Sequence, residues 1–168
     1  IRDYKVTGVQ TCALPIFGVQ SFEEKNLRFL GRNHTVEESE KAVIAASKVF
    51  DNYTFDLIYA LPDQTCVEWE QELELALKFA RNHVAMYQLT IEPGTEFYKN
   101  RVKPANENLG SKLYQVTNKI MEQAGYDSYE ISNYSKPKFK CRHNLVYWNG
   151  LDYLGIGPGA HGRLTQNH

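Results

Sequence analysis

The stretch Phe55-Asp56-Leu57-Ile58-Tyr59-Ala60-Leu61-Pro62 is an apolar run holding a single carboxylate, bounded by polar residues and by proline. A run this short and this apolar fits a buried strand of the kind found in parallel sheets. Just after it, Thr65 and Glu68 have the spacing of a capping box, and Trp69, Leu73, Leu77 and Ala80 then recur on one helical face. Upstream, Thr35 and Glu38 repeat the box, followed by Val36, Val43, Ala46 and Phe50 at helical spacing. Phe17 to Gln20 reads as the end of a strand, and polar residues intervene up to Arg32. Downstream, Val84 to Ile91 reads as a strand stopped by Pro93-Gly94. Leu109, Leu113, Val116 and Ile120 mark a helix ending near Gly125, and Tyr126 to Ile131 reads as a further strand.

Strand and helix alternate at about 30 residues per unit, which predicts an α/β fold with a parallel sheet, outer helices and right-handed crossovers. The pattern fits an open doubly wound sheet and a β/α barrel equally. In both, ligand groups gather at the C-terminal ends of the strands. The polar residues there are Gln20, Arg32, the Asp63-Gln64-Thr65 turn, Glu92 and Glu130.

Composition narrows the function classes. The 168 residues are 42% hydrophobic and 23% charged, a globular balance that excludes wholesale disorder. Net charge is −1, so no basic footprint points to nucleic acid. No apolar run approaches the roughly 20 residues of a membrane span. Cys12, Cys66 and Cys141 stand far apart with no C-x-x-C, which argues against a disulfide scaffold or structural zinc and for a reducing, cytoplasmic setting. Residues 1–16 back-translate onto a common short-read library primer, with Tyr4-Lys5 at the place of the sample index. They are expected to be adapter sequence and are set apart from the fold. Residues 17–164 are then the domain portion, and 165–168 a continuation cut short.

Several motifs have a functional and a plain reading. Asp56 opens an apolar strand, so it needs a partner; a ligand hydroxyl or amine and a salt bridge to Arg or Lys both serve. His143-Asn144-Leu145-Val146-Tyr147-Trp148 gathers an imidazole, an amide and two aromatics. Imidazole ligates heme iron and aromatic faces pack on a macrocycle, while the plain alternative is an aromatic strand with one satisfied histidine. Gly155 to Gly162 holds four glycines, either for close approach of backbone to a ligand or for a tight turn. It is neither a Walker A loop nor a G-x-G-x-x-G. Cys66 opens a predicted helix, a position that can lower a thiol pKa but that a small buried residue also fills. No G-x-S-x-G or H-E-x-x-H is present. On residues alone the chain is an α/β domain with a ligand site at its strand ends.

The ordered segments Gly18-Val19-Gln20-Ser21-Phe22, Leu30-Gly31-Arg32-Asn33-His34, Asp56 to Pro62, Tyr87 to Thr95, Tyr129-Glu130-Ile131-Ser132-Asn133 and His143 to Trp148 closely resemble one family. It is the oxygen-independent coproporphyrinogen III oxidase group of radical S-adenosylmethionine (SAM) proteins. The His-Asn-x-x-Tyr-Trp element is typical of its HemW branch, the heme chaperones, and covers what the true oxidases lack. The resemblance spans residues 17–164.

It implies a partial (β/α)6 barrel holding SAM and a [4Fe-4S] cluster. A C-x-x-x-C-x-x-C loop would ligate three irons, leaving the fourth for the cofactor. This sequence contains no such loop, so the chain as given is expected neither to assemble the cluster nor to cleave SAM. The family match assigns Gln20, Arg32 and Asp56 to SAM, with Arg32 suited to the cofactor carboxylate. Thr90 and His161 fall near cofactor-contacting positions, and His143, Asn144, Tyr147 and Trp148 form the heme-associated element. The implied partners are heme and recipient hemoproteins, membrane-associated ones included. The rival reading is an enzyme, a coproporphyrinogen III oxidase performing oxidative decarboxylation; an unrelated α/β binding domain is a third.

Overall fold

The computed structural model describes residues 14–166. Cys12 and residues 1–13 of the stretch read as adapter sequence lie outside the described residues, as do 167 and 168. In chain order the elements are β1 (Ile16–Gln20), α1 (Glu24–Phe29), α2 (Val36–Val49), β2 (Thr54–Tyr59), α3 (Cys66–Phe79), β3 (His83–Gln88), α4 (Glu96–Lys99), α5 (Glu107–Gln123), β4 (Asp127–Ser128), β5 (Asn133–Ser135) and α6 (Arg142–Trp148).

Both capping boxes form and start α2 and α3. The Thr35 hydroxyl accepts the Glu38 amide at 3.2 Å, and the Glu38 carboxylate accepts the Thr35 amide at 2.8 Å. Thr65 and Glu68 repeat this at the same distances. Each box satisfies two amides that the first helical turn leaves without partners. Helix α1 has no such signal: its cap residue Glu23 makes no side-chain cap bond, and its six residues are anchored by burial of Asn26 and Leu27. That is why the sequence pattern passes over it.

The sheet order is β1-β2-β3-β5-β4. The first three strands are parallel, as expected for strands separated by helices. The last part departs from that expectation. Strand β5 runs antiparallel to β3 and makes a hairpin with β4. The cause is local. The Glu130 carboxylate accepts the Ser132 amide at 3.0 Å and the Asn133 side chain, folding the chain back between the two short strands. Tyr126 to Ile131 is therefore not one continuous strand.

Alternation along the strands separates two faces. Phe55, Leu57 and Tyr59 of β2 and Val84 and Met86 of β3 form one buried cluster with Trp69, Leu73 and Ala76 of α3 and Leu113 and Met121 of α5. Trp69 stacks on Tyr59 with ring centroids 5.2 Å apart and donates its indole N–H to Thr117 Oγ1 at 2.8 Å. The helices thus seal one side of the sheet. The opposite face carries Thr54, Asp56 and Ile58 of β2 and His83, Ala85 and Tyr87 of β3, and the polar candidates lie there.

Candidate functional site

The site begins where β1 ends. Pairing of β1 with β2 shifts register between Phe17 and Gln20, and Gln20 takes a left-handed backbone with φ of 72°. A non-glycine residue held there costs on the order of 1 kcal/mol, so the surroundings must impose it. The Gln20 side chain folds back over Gly18; a Cβ on Gly18 would lie 2.9 Å from Gln20 Nε2. Gln20 is 8% exposed, and its Oε1 accepts an N–H from Arg32 Nη2 at 3.3 Å. The amide and the guanidinium, twelve residues apart, meet at the strand end.

The loop that carries them is clamped from α3. The buried Glu72 carboxylate accepts the Ser21 hydroxyl, the Phe22 amide at 2.8 Å and the Asn26 side-chain amide at 3.4 Å. Burial pushes its carboxyl up, opposed by the Ser21 and Phe22 hydrogen bonds. Sequence reasoning passed over Glu72 as one more charge on α3. Its place among Trp69, Leu73 and Ala76, at i+3 from the tryptophan, puts it on the buried stripe and was the available signal.

Asp56 stands on the adjacent strand, on the face away from the core and opposite Ala85 of β3. Burial pushes its carboxyl up to about 6. The ion pairs among the described residues are Lys25–Glu68, Lys41–Glu37 and Lys99–Glu96, so the salt-bridge reading of Asp56 is not what the structure contains. Burial and the Asp56 carboxylate together push the Tyr87 phenol up, which makes Tyr87 a neighbour of Asp56. Gln20 ends β1 and meets Arg32 from the loop after α1, while Asp56 sits within β2, one residue before Leu57, the register partner of Gln20. Thr90 lies two residues beyond β3 and is exposed.

The His143 to Trp148 element is helix α6, not an aromatic strand. Helical spacing puts His143 and Tyr147 one turn apart, and their rings meet edge-on at 4.8 Å. Tyr147 continues to Tyr153 at 4.5 Å, and the Tyr153 hydroxyl lies 2.6 Å from His161 Nδ1. His161 is therefore joined to this aromatic row, its hydrogen bond and ring contact both being with Tyr153. Trp148 is 58% exposed at the end of the helix. Asn144 turns the other way and donates to the Tyr129 hydroxyl at 3.3 Å.

The Gly155 to Gly162 segment is a turn closed on itself. Tyr153 and Arg163 exchange backbone hydrogen bonds of 2.8 and 2.9 Å. A Cβ on Gly155 would lie 2.5 Å from the His161 carbonyl oxygen, so the close approach that glycine allows here is to the chain's own backbone. Cys141 is buried at the start of α6, and Cys66 is half-buried at the start of α3. Among the described residues, no group of three or more His, Cys, Asp or Glu side chains is placed to hold a metal ion. No helix among them is long and apolar enough to cross a membrane.

The sheet and its helices match those of the solved coproporphyrinogen III oxidase HemN of Escherichia coli, a radical SAM enzyme. The TM-score is 0.71 at 19% identity, over 88% of this chain and 38% of that one. The fold is accordingly a segment of a radical SAM barrel. In sequence the chain is similar to HemW proteins. It is 38% identical over 165 residues to the heme chaperone HemW of Buchnera aphidicola from Acyrthosiphon pisum, covering 98% of this chain and 43% of that protein. It is 40% identical over 165 residues to the heme chaperone HemW of Escherichia coli K12, covering 97% and 43%. It is 41% identical over 178 residues to the mitochondrial radical S-adenosyl methionine domain-containing protein 1 of Dictyostelium discoideum, covering 98% and 39%. No family model matches the chain. The chain spans about two-fifths of the length of these curated relatives.

Proposed function

We propose that this chain is part of a radical SAM heme chaperone that carries heme to recipient hemoproteins in the cytoplasm. The observation that carries the reading is the similarity to proteins named heme chaperone HemW over nearly the whole chain, the His143-Asn144-x-x-Tyr147-Trp148 element included. The oxidase HemN shares the fold at 19% identity, and fold alone does not carry its activity here.

The strand-end residues fit a SAM molecule chemically. Arg32 spends one N–H on Gln20, leaving guanidinium donors for the cofactor carboxylate. Gln20, fixed by Gly18 and the Glu72 clamp, presents a preoriented amide to polar groups of the cofactor. Asp56, on the neighbouring strand, offers a carboxylate to its amine or hydroxyls. Thr90 is near enough in sequence to the end of β3 to edge the same site, whereas His161 sits in the aromatic row. Bound to a [4Fe-4S] cluster, SAM supplies one-electron radical chemistry; this chain's residues bind and orient it.

For heme, α6 presents His143 and Tyr147 on one side and Trp148 at its end, an imidazole beside aromatic faces. Hemin titrated into the chain is expected to give a saturable change in its main visible band. The double substitution H143A/Y147A is expected to weaken that binding at least tenfold. Unchanged hemin binding in the double variant, or turnover of coproporphyrinogen III by a protein extended to the length of the relatives, refutes the chaperone reading.

A further inference from the structure

Helix α6 has little of its own to hold it. It is seven residues long, its N-cap Cys141 makes no side-chain cap bond, and none of its residues is buried. Short isolated helices are marginal in water, so its order must come from elsewhere.

A phenol outside the helix supplies part of it. The Tyr129 hydroxyl oxygen accepts the backbone N–H of Cys141 at 3.3 Å and the Asn144 Nδ2–H at 3.3 Å. With two donors on its oxygen, the phenol turns its own proton to His83 Nε2, 2.7 Å away. His83 must then carry its proton on Nδ1, which faces Thr54 Oγ1 at 2.8 Å. His83 is 1% exposed, and burial holds its imidazole down to about 4, so it stays neutral and keeps this tautomer. The Lys140 ammonium lies over the Tyr129 ring, 5.7 Å from its centroid. One hydrogen-bonded line thus runs from β2 through β3 to the first turn of α6.

We propose that Tyr129, oriented by His83, is the positioning residue for α6: its hydroxyl caps the helix from outside and sets the face on which His143 and Tyr147 stand. The functional half of this inference rests on the heme reading above; the structural half does not.

Tyr129→Phe removes the hydroxyl and keeps the ring. His83→Leu removes the acceptor that orients it. In both, amide hydrogen exchange over residues 142–148 is expected to quicken about tenfold, the scale of one net hydrogen bond, with α3 unchanged. Hemin binding is expected to weaken by a similar factor, with a shifted visible band. His83→Gln, whose amide oxygen can accept the Tyr129 proton near the Nε2 position, is expected to restore both. Unchanged exchange over 142–148 in Tyr129→Phe overturns the proposal. So does faster exchange with hemin affinity and spectrum as in the parent chain. Should the parent chain bind no hemin, the heme reading fails by itself, and the exchange in Tyr129→Phe still supports or overturns the cap.

Discussion

The strand-end site and the α6 surface are organised in opposite ways. Around Gln20, the strand end and its loop are held by buried groups from a distant element, as Glu72 of α3 holds Ser21 and Phe22. Around α6, the functional side chains are exposed and touch mainly one another, from His143 through Tyr147 and Tyr153 to His161. The Tyr129–His83 line ties that row to the sheet. The first region is preorganised by the core, which suits a ligand bound through directed polar contacts. The second presents aromatic area at its surface, which suits a flat ligand that is taken up and passed on.

The largest test of the contrast compares the two tryptophans. Trp69→Ala leaves a cavity against Tyr59 and removes the N–H that Thr117 accepts, and should cost about 3–5 kcal/mol in denaturant unfolding. Trp148→Ala should stay within about 0.5 kcal/mol, because that ring is largely in water. Comparable losses would break the distinction between the regions.

Acid is the next lever. Burial holds His83 down to about 4 from an ordinary value near 6.5, so between those values the unfolded chain binds the proton more readily. The stability His83 contributes is full above pH 6.5 and is lost as pH falls toward 4, about 2–3 kcal/mol in all. Asp56 has the opposite sign. Its carboxyl is held up to about 6, so the folded state binds the proton better and the charged form is a burden above that pH. Asp56→Asn should therefore raise stability at pH 7 by about 1 kcal/mol, discounted for partial exposure, and steepen the acid loss. Melting temperature against pH for the parent and D56N measures both signs.

Glu72→Ala should cost about 2 kcal/mol by leaving the buried Ser21 and Phe22 donors without an acceptor. It should loosen residues 20–32 in hydrogen exchange and leave 142–148 untouched, which sharpens the independence of the two regions. The smallest effect is expected from Gly18→Ala. The added methyl meets the flexible end of Gln20, so stability should fall by under about 1 kcal/mol while the Gln20–Arg32 contact is displaced. A crystal structure of that variant with Gln20 still on Arg32 would show that Gly18 does not shape the site.

The helices α2 and α3 could be read from their capping boxes and apolar stripes, because those signals act within a few residues. Strands β2 and β3 could be read for the same reason, from runs flanked by polar or proline residues. Helix α1 was not legible, since its anchors Asn26 and Leu27 act through tertiary burial. Nor was α6, whose aromatic content also suits a strand and whose cap comes from Tyr129, outside the helix. Among site residues, Gln20 and Arg32 could be assigned near strand ends by pattern, and Asp56 stood out as the one carboxylate of an apolar strand. His83 and Tyr129 could not be singled out, because a buried imidazole or phenol looks like any other until its distant partners are known; Glu72 had only its place on the apolar stripe of α3 as a signal.

The sequence by itself determined the α/β alternation, the faces that α2 and α3 bury and the family the chain resembles. These follow from short-range periodicity, local capping chemistry and ordered motifs. Only the tertiary structure decided that β5 runs antiparallel, that Gln20 meets Arg32 over Gly18, and that His161 joins the row from His143 rather than the strand-end pair. Those outcomes depend on hydrogen bonds and packing between residues far apart in the chain, whose geometry is defined only once the sheet has brought them together.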